Sequence, residues 1–268
     1  MTPKPFTPRP YQKIMIDHII KHKRCGLWAG MGMGKTSSVL SALLKINLFE
    51  DVFPALVVAP LQVAQSVWPQ EAAKWDEFKH LRIQPLVGDE FERHEALGKP
   101  ADIYTTNYEQ IPWLVQLFGK KWPFKTIIAD ESTRLKSFRS RQGGKRANEF
   151  YKVAWPYCER FINLTGTPAP NGLQDLYGQT MFLDQGERLG RTFTSFEQRW
   201  FQRSFDGFSI KPLPHAQGEI QGKLADICIS IQAKDWFDLK APIVNILTIE
   251  LPPKARKIYN EMEKLLFT

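Results

Sequence analysis

The chain has 268 residues, of which 43% are hydrophobic, enough for one large globular domain or a domain with an extension. Thirty-six basic residues against 28 acidic ones give a net charge of +8, which favours a polyanionic partner without requiring one. Three widely spaced cysteines indicate neither a disulfide framework nor a zinc site. Because the sequence has no apolar membrane-spanning segment and no signal-peptide core, we expect a cytoplasmic protein without a membrane partner.

The first chemical signal is the glycine-rich segment Gly30–Thr36. Residues 25–29 before it predict a short buried strand, and apolar residues at helical spacing follow from Val39 to Leu44. In such a loop, backbone N–H groups surround phosphate, Lys35 reaches the β- and γ-phosphates, and the Thr36 hydroxyl can ligate Mg²⁺. A glycine turn with a chance Lys-Thr pair is the competing interpretation, which this setting disfavours. The predicted phosphate-binding residues are Gly30, Met31, Gly32, Met33, Gly34, Lys35 and Thr36.

Further apolar runs indicate an alternating β/α sheet. Residues 56–60 and 103–106 read as strands, and the stretch between them places Val63, Val67, Ala72 and Trp75 on a predicted helix. The fold class that follows is α/β.

A second chemical signal is the acidic pair Asp130-Glu131, which follows the apolar run at residues 126–129. A buried parallel strand delivers such acids to its carboxyl edge, where the glycine loop is also expected. Asp130 would hold Mg²⁺ through its water shell, and Glu131 would polarise the water that attacks the γ-phosphate. Alone, such a pair is more often a helix cap or a surface turn. Combined with the loop, it predicts a triphosphate-hydrolysing site.

Another predicted strand, residues 161–164, leads into Thr165-Gly166-Thr167-Pro168. The hydroxyls there could bond the carboxylates of the neighbouring strand end and so sense the γ-phosphate. By itself this segment is an ordinary turn signal. Its position after the acidic pair favours the coupling role.

A basic run lies between residues 134 and 146, with serine and glycine interspersed and no acidic residue. A solvated surface run is as good an explanation of it when it is taken alone. Its position after the acidic pair favours contact with a phosphate backbone. The residues predicted to touch nucleic acid are Lys136, Arg139, Arg141, Lys145 and Arg146.

Taken in order, these blocks resemble the superfamily 2 helicase-type ATPases, and within them the Swi/Snf group of DNA translocases. The rarer block is Leu173–Phe201, which resembles the segment that follows motif III in that group. The resemblance covers roughly residues 8 to 260. The other matching blocks are Arg9–Gln12 (adenine recognition), Gly30–Thr36 (motif I), Val57–Trp75 (motif Ia), Asp102–Gln110 (motif Ib), Asp130–Thr133 (motif II), and Leu164–Pro168 with Asn171 (motif III).

The resemblance implies a RecA-like P-loop fold with a helical protrusion, and ATP and Mg²⁺ as cofactors. It also implies binding of DNA, duplex and independent of sequence, and a second RecA-like lobe of the same polypeptide that carries an arginine finger. The implied roles are adenine binding for Arg9 and Gln12, catalysis for Lys35, Asp130 and Glu131, metal binding for Thr36 and Asp130, and coupling for Thr165, Gly166 and Thr167.

Three departures from the group's pattern indicate a divergent bacterial or phage-type branch. Ala29-Gly30 replaces an acidic pair before motif I, Ser132-Thr133 replaces the usual end of motif II, and the paired arginines expected near residues 225–240 are absent.

The predicted organisation is a RecA-like lobe over residues 1–185, a helical protrusion over 186–242, and a linker over 243–268 toward a missing second lobe. The clustered aromatic residues of the protrusion, Phe196, Trp200, Phe201, Phe205 and Phe208, are expected to pack in a core. We expect weak or no turnover from this fragment. Two alternatives to a duplex translocase stay open: a strand-separating helicase and a nucleotide-dependent binding module without motor activity.

Overall fold

The computed structural model describes residues 2–139, 144–203, 210–237 and 250–266. The chain divides into two compact units, Met1–Trp236 and Phe237–Thr268. No helix among these described residues combines the length and the apolar character that crossing a bilayer requires.

The first unit is built on a seven-stranded sheet in which neighbouring strands are parallel. Its strands are β1 (Arg24–Ala29), β2 (Ala55–Ala59), β3 (Ile83–Pro85), β4 (Ile103–Asn107), β5 (Thr126–Asp130), β6 (Arg160–Thr165) and β9 (Cys228–Ile231). The spatial order is β3-β4-β2-β5-β6-β1-β9. Two further strands, β7 (Phe201–Arg203) and β8 (Ile210–Pro212), form a separate antiparallel pair.

The central strands are buried along their length, as sheets covered on both faces require. Every residue of β2 and β6 is buried; β2 is a continuous apolar run, whereas β6 also buries the polar side chains of Arg160, Asn163 and Thr165. In the register, Trp28 of β1 pairs with Thr165 of β6, and Asp130 of β5 pairs with Leu164. The carboxyl ends of β1, β5 and β6 therefore meet at one edge. This confirms the predicted RecA-like parallel sheet.

Helices connect the strands and cover the sheet. Those of the first unit are α1 (Pro10–Lys21), α2 (Lys35–Ile46), α3 (Trp68–Lys74), α4 (Glu90–Leu97), α5 (Ile111–Phe118), α6 (Lys145–Ala154), α7 (Asp175–Asp184), α8 (Phe193–Trp200) and α9 (Ala216–Leu224). A π-helical turn, Val63–Val67, leads into α3, and α1 packs against α2. The predicted helix between β2 and β4 is thus confirmed, with a local widening at its start.

The range predicted as a helical protrusion, 186–242, needs one correction. It contains α8, the β7–β8 pair and α9, but it then returns to the sheet as β9, which pairs in parallel with β1. Residues 210–222 of this range include β8 and most of α9. A four-residue edge strand with mixed burial leaves too little pattern to detect from sequence. The limits at residues 185 and 242 stay predictions, and residues 238–249 lie outside the described part of the chain.

Aromatic side chains of α7 and α8 form part of the hydrophobic core. Phe196 and Trp200 are fully buried, Phe201 is nearly so, and the ring centroids of Tyr177 and Phe196 are 5.3 Å apart. This confirms core packing for the three predicted residues that the structure describes. Phe205 and Phe208 lie outside the described residues.

The second unit contains α10 (Pro253–Leu266), which lies within the range 243–268 predicted as a linker. Residues 243–249 of that range are outside the described residues.

Candidate functional site

The glycine-rich loop joins the end of β1 to the start of α2. Gly32 and Gly34 have φ values of +76° and +68°, in the left-handed region where glycine has no steric penalty. The loop therefore turns sharply and leads directly into the first turn of a 12-residue helix. The N–H groups of that turn have no partners within the helix and are suited to an anion such as phosphate.

Lys35 is held inside this loop. Its Nζ donates to the carbonyl oxygens of Ala29 (2.6 Å) and Gly30 (3.1 Å). Burial lowers the pKa of Lys35, and the nearby carboxylates of Asp130 and Glu131 oppose that shift. The ammonium group thus lies at the mouth of the loop, between backbone carbonyls and two acidic side chains.

Gln12 on α1 ties the N-terminal segment to the same loop. Its Nε2 donates to Ser37 Oγ (3.2 Å) and, at 3.5 Å, to the Gly34 carbonyl, while its Oε1 accepts from the Arg9 N–H (2.9 Å). The side chain is buried, and its amide is oriented from both ends. This places the predicted adenine-binding pair Arg9 and Gln12 beside the phosphate loop.

The acidic pair lies at the carboxyl end of β5, as predicted. Glu131 has φ +60° and ψ +56°, a left-handed conformation that is strained for a non-glycine residue. The hydroxyl of Tyr108 donates to the Asp130 carbonyl (2.9 Å) and lies 3.3 Å from that of Glu131. Burial raises the pKa of Tyr108 well above its usual range, so this hydroxyl remains a donor. The Tyr108 hydroxyl therefore fixes the backbone of the turn that carries Asp130 and Glu131.

The two carboxylates are held by different partners. Trp68 Nε1 donates to Asp130 Oδ2 (3.0 Å), and burial raises the pKa of Asp130, partly offset by that bond and by Lys35. Glu131 Oε1 accepts from Thr133 Oγ1 (2.8 Å) and Thr165 Oγ1 (3.1 Å). The carboxylate of Glu131 can then offer its other oxygen, Oε2, to a water molecule.

The predicted contact between the end of β6 and the acidic pair is thus present. Thr165 Oγ1 also accepts from the Thr167 N–H (3.1 Å), and a Cβ built on Gly166 would lie 3.5 Å from the Ala29 carbonyl. The segment 165–167 therefore touches both the acidic pair and the loop region. Its coupling role stays a prediction.

The glycine-rich loop, the acidic pair and the N-terminal segment with Arg9 and Gln12 line one cleft of about 590 Å³. Thr36 and Asp130 both face it, and hydroxyl and carboxylate oxygens are ligands that Mg²⁺ accepts. No group of three or more His, Cys, Asp or Glu that could hold a metal occurs among the described residues. The donors fit a magnesium ion that arrives with its nucleotide and keeps phosphate and water ligands.

Two residues of this site escaped sequence reasoning. Trp68 and Tyr108 lie in blocks assigned to motifs Ia and Ib, but neither carried a predicted role at the acids. The available signal was weak: Tyr108 follows a strand, β4, that ends at the same sheet edge, and Trp68 begins a helix that follows β2.

Two solved structures of the Sulfolobus solfataricus SWI2/SNF2 ATPase core share this fold. The core in complex with dsDNA matches with a TM-score of 0.67 at 23% identity, over 87% of this chain and 46% of that chain. The core domain alone matches with a TM-score of 0.62 at 24% identity, over 100% and 52%. In sequence, the model of the SNF2-related domain matches residues 12–267. The chain belongs to the SNF2-related domain family.

Relatives of this SNF2-related chain come from phage and from eukaryotes. It is 50% identical over 270 residues to putative protein p41 of Acyrthosiphon pisum secondary endosymbiont phage 1, covering 98% of this chain and 59% of that protein. It is 31% identical over 166 residues to the CHD3-type chromatin-remodeling factor CHR7 of Arabidopsis thaliana, covering 58% of this chain and 13% of that factor. The chain therefore spans less than two thirds of the length of these relatives.

The SNF2-related lobe distributes its predicted nucleic-acid residues unevenly. Lys136 Nζ is paired with Asp175 (3.3 Å), and Arg146 Nη1 with Glu109 (2.6 Å). Lys145 is exposed on α6, and Arg141 lies outside the described residues.

Arg139 differs from the others of this set. Its guanidinium donates to the carbonyls of Lys136 (2.8 Å) and Phe138 (2.7 Å) and stacks 3.5 Å from the ring centroid of Phe193. Burial lowers its pKa. These contacts engage the half-buried guanidinium within the lobe, which does not favour the phosphate contact predicted for it.

Proposed function

We propose that this chain is the ATP-binding first lobe of an SNF2-type motor that hydrolyses ATP while it tracks along duplex DNA. The observation that carries the proposal is the convergence of Lys35, Thr36, Asp130 and Glu131 on one cleft. Two segments far apart in sequence supply a phosphate-binding loop, a metal-binding carboxylate and a candidate base there, as nucleotide hydrolysis requires.

ATP binding begins with the loop and the first turn of α2. The triphosphate would receive backbone N–H groups of the loop, and Lys35 would exchange its carbonyl partners for the β- and γ-phosphates. Gln12 and Arg9 lie beside the phosphate loop and line the same cleft, which supports an adenine-binding role. Thr36 and Asp130 would hold the Mg²⁺ that accompanies the nucleotide, and the ion would offset the negative charge of the phosphates.

Hydrolysis depends on Glu131. Thr133 and Thr165 fix one carboxylate oxygen, so the other can orient a water molecule for attack on the γ-phosphate. Thr165 belongs to the strand end that also touches the loop, so loss of the γ-phosphate can be transmitted from Glu131 to residues 165–167. A second lobe would supply the missing positive charge, which is why we expect slow turnover from this chain alone.

DNA binding is supported by charge and by family. One structural neighbour, the Sulfolobus solfataricus SWI2/SNF2 ATPase core, was solved in complex with dsDNA, and this lobe carries Lys136, Lys145 and Arg146 near motif II. A motor that moves along DNA needs contacts with phosphate rather than with bases. Since Lys136 and Arg146 are paired with carboxylates, DNA phosphate would compete with Asp175 and Glu109 for them.

The ATP site is tested with Lys35→Ala and Glu131→Gln in the 268-residue chain, with Lys45→Ala on the exposed end of α2 as a matched control. A fluorescent ATP analogue should bind wild type, Glu131→Gln and Lys45→Ala, and not Lys35→Ala. Phosphate release, measured in a chain that includes a second lobe, should be lost in Lys35→Ala and Glu131→Gln and kept in Lys45→Ala. Equal release by Glu131→Gln and wild type would remove Glu131 from its role, and fast release by the 268-residue wild type would contradict the need for a second lobe.

Motor activity is tested in a chain that includes a second lobe. Duplex DNA should stimulate phosphate release more than single-stranded DNA or RNA, and a fork substrate should remain unseparated. Separation of the fork would favour a helicase. ATP and DNA binding without stimulated release would favour a nucleotide-dependent binding module.

A further inference from the structure

Trp68 is a fully buried residue whose one polar atom points at the acidic pair. Its indole Nε1 donates to Asp130 Oδ2 at 3.0 Å, across 62 positions of sequence. The indole N–H is a donor only, so it suits a carboxylate oxygen and cannot ligate a metal ion. Because this donor is engaged by Asp130, the contact acts on the orientation of that carboxylate.

The backbone around Trp68 is built to place this ring. Its backbone N–H donates to the Val63 carbonyl, the i to i−5 bond that closes the π-helical turn Val63–Val67. The extra residue turns Trp68 by about 100° relative to a continuous α-helix. The Ala64 carbonyl in that turn accepts from Thr105 Oγ1 of β4 at 2.6 Å, which anchors the turn to the sheet.

Asp130 is consequently held at two points. Trp68 fixes its carboxylate, and the Tyr108 hydroxyl fixes its backbone carbonyl at 2.9 Å. A carboxylate on a strand end otherwise rotates about its terminal bond over a broad range. With Oδ2 engaged by the indole, the rotation is limited and Oδ1 takes a defined direction in the cleft.

We propose that Trp68 is a positioning residue that holds the Asp130 carboxylate in the orientation that receives the magnesium of the bound nucleotide, an inference that rests on the proposed ATP site. Removal of the indole N–H keeps the Thr36 hydroxyl and the Asp130 carboxylate in the site, but the carboxylate can then rotate. Loss of such a partner of a metal ligand typically costs on the order of 10–100-fold in metal affinity. The phosphate loop and the adenine contacts are untouched.

The test compares Trp68→Phe with Trp200→Phe. Trp200 is also fully buried and donates from Nε1 to a carboxylate, Glu219 Oε2, at 2.9 Å, but it lies in α8, among the core aromatics. In the first measurement, binding of a nonhydrolysable ATP analogue to each protein is followed at increasing Mg²⁺ concentration. In the second, Mn²⁺ binding in the presence of the analogue is followed by the electron paramagnetic resonance signal of the free ion. Trp68→Phe should require at least about 10-fold more Mg²⁺ or Mn²⁺, with analogue binding in chelator unchanged. Trp200→Phe should match wild type in both measurements.

The outcomes separate the two proposals. If wild type shows no metal-dependent binding of the analogue, the proposed ATP site fails. If wild type shows it and Trp68→Phe has the same metal dependence, the positioning role of Trp68 is wrong. Should Trp68→Phe not fold, as judged by near-ultraviolet circular dichroism, benzothienylalanine placed at position 68 keeps the ring shape, removes the N–H, and must give the same shift.

Discussion

Gly34→Ala is the substitution that tests the contact between the N-terminal segment and the phosphate loop. Gly34 has φ +68°, and an added Cβ would overlap Nε2 of Gln12. Gly32 is a natural control, since it has φ +76° with no heavy atom within 4 Å of an added Cβ. Both variants carry backbone strain, but only one displaces a neighbour.

The expected magnitudes follow from these contacts. A left-handed alanine costs about 1–2 kcal/mol, partly offset by about 0.4–1 kcal/mol from the less flexible unfolded chain, so Gly32→Ala should cost about 1 kcal/mol. In Gly34→Ala the Gln12 amide must also leave Ser37 and the Arg9 N–H. At about 1 kcal/mol for each lost bond, this adds roughly 2 kcal/mol.

Urea unfolding followed by circular dichroism measures both variants, with Gln12→Ala and the Gln12→Ala/Gly34→Ala double variant to close a cycle. Because the clash disappears with the Gln12 side chain, Gly34→Ala should cost only about 1 kcal/mol in the Gln12→Ala background. Equal destabilisation by Gly32→Ala and Gly34→Ala, or additivity in the cycle, would refute the contact between Gln12 and the loop.

Three other predictions concern charge. Burial lowers the pKa of His18 below its usual 6.5, and its ring lies 3.0 Å from the Ile227 carbonyl oxygen. Because the folded state then binds fewer protons than the unfolded state, the free energy of unfolding should fall as the pH drops below 6.5. In His18→Gln this fall should be smaller. Burial raises the pKa of Asp130, so the contribution of this carboxyl to stability is lost as the pH rises through its folded-state pKa. Asp130→Asn should therefore raise the melting temperature at neutral pH in the absence of nucleotide. The same variant should abolish metal-dependent binding of nucleotide. Glu109→Gln should free Arg146 for phosphate, which fluorescence anisotropy would show as tighter duplex binding with a steeper salt dependence; unchanged binding would contradict the competition.

Local patterns carried the sequence predictions that the structure confirms. The strand before the glycine loop, predicted at 25–29, is Arg24–Ala29, and the strand before the acids, predicted at 126–129, is Thr126–Asp130. Both are buried parallel strands, and in each the apolar run ends directly before the functional residues, the glycine loop in one case and the acidic pair in the other. The shared edge followed from the rule that parallel strands end together, so the meeting of Lys35 with Asp130 was predictable.

The contacts that orient those groups were not predictable from local pattern. The hydrogen bond from Trp68 to Asp130 depends on a π-helical turn that shifts the position of the indole ring. The sequence of residues 63–67 has no pattern that predicts a π-helical turn. The left-handed backbone of Glu131 depends on Tyr108, which is 23 positions away. Such features result from tertiary packing and become visible only when the strands are placed side by side.

The return of the chain to the sheet as β9 has a consequence for biosynthesis. β1, which enters the nucleotide loop, has β6 on one side and β9 on the other. Until Cys228–Ile231 leaves the ribosome, β1 is an open edge whose N–H and C=O groups can pair with another chain. At about 5–20 residues per second, that exposure lasts roughly several seconds after β6 is made. A polypeptide cut at residue 185 would keep the edge open permanently, so the shortest version of this lobe that resists aggregation should extend through Ile231.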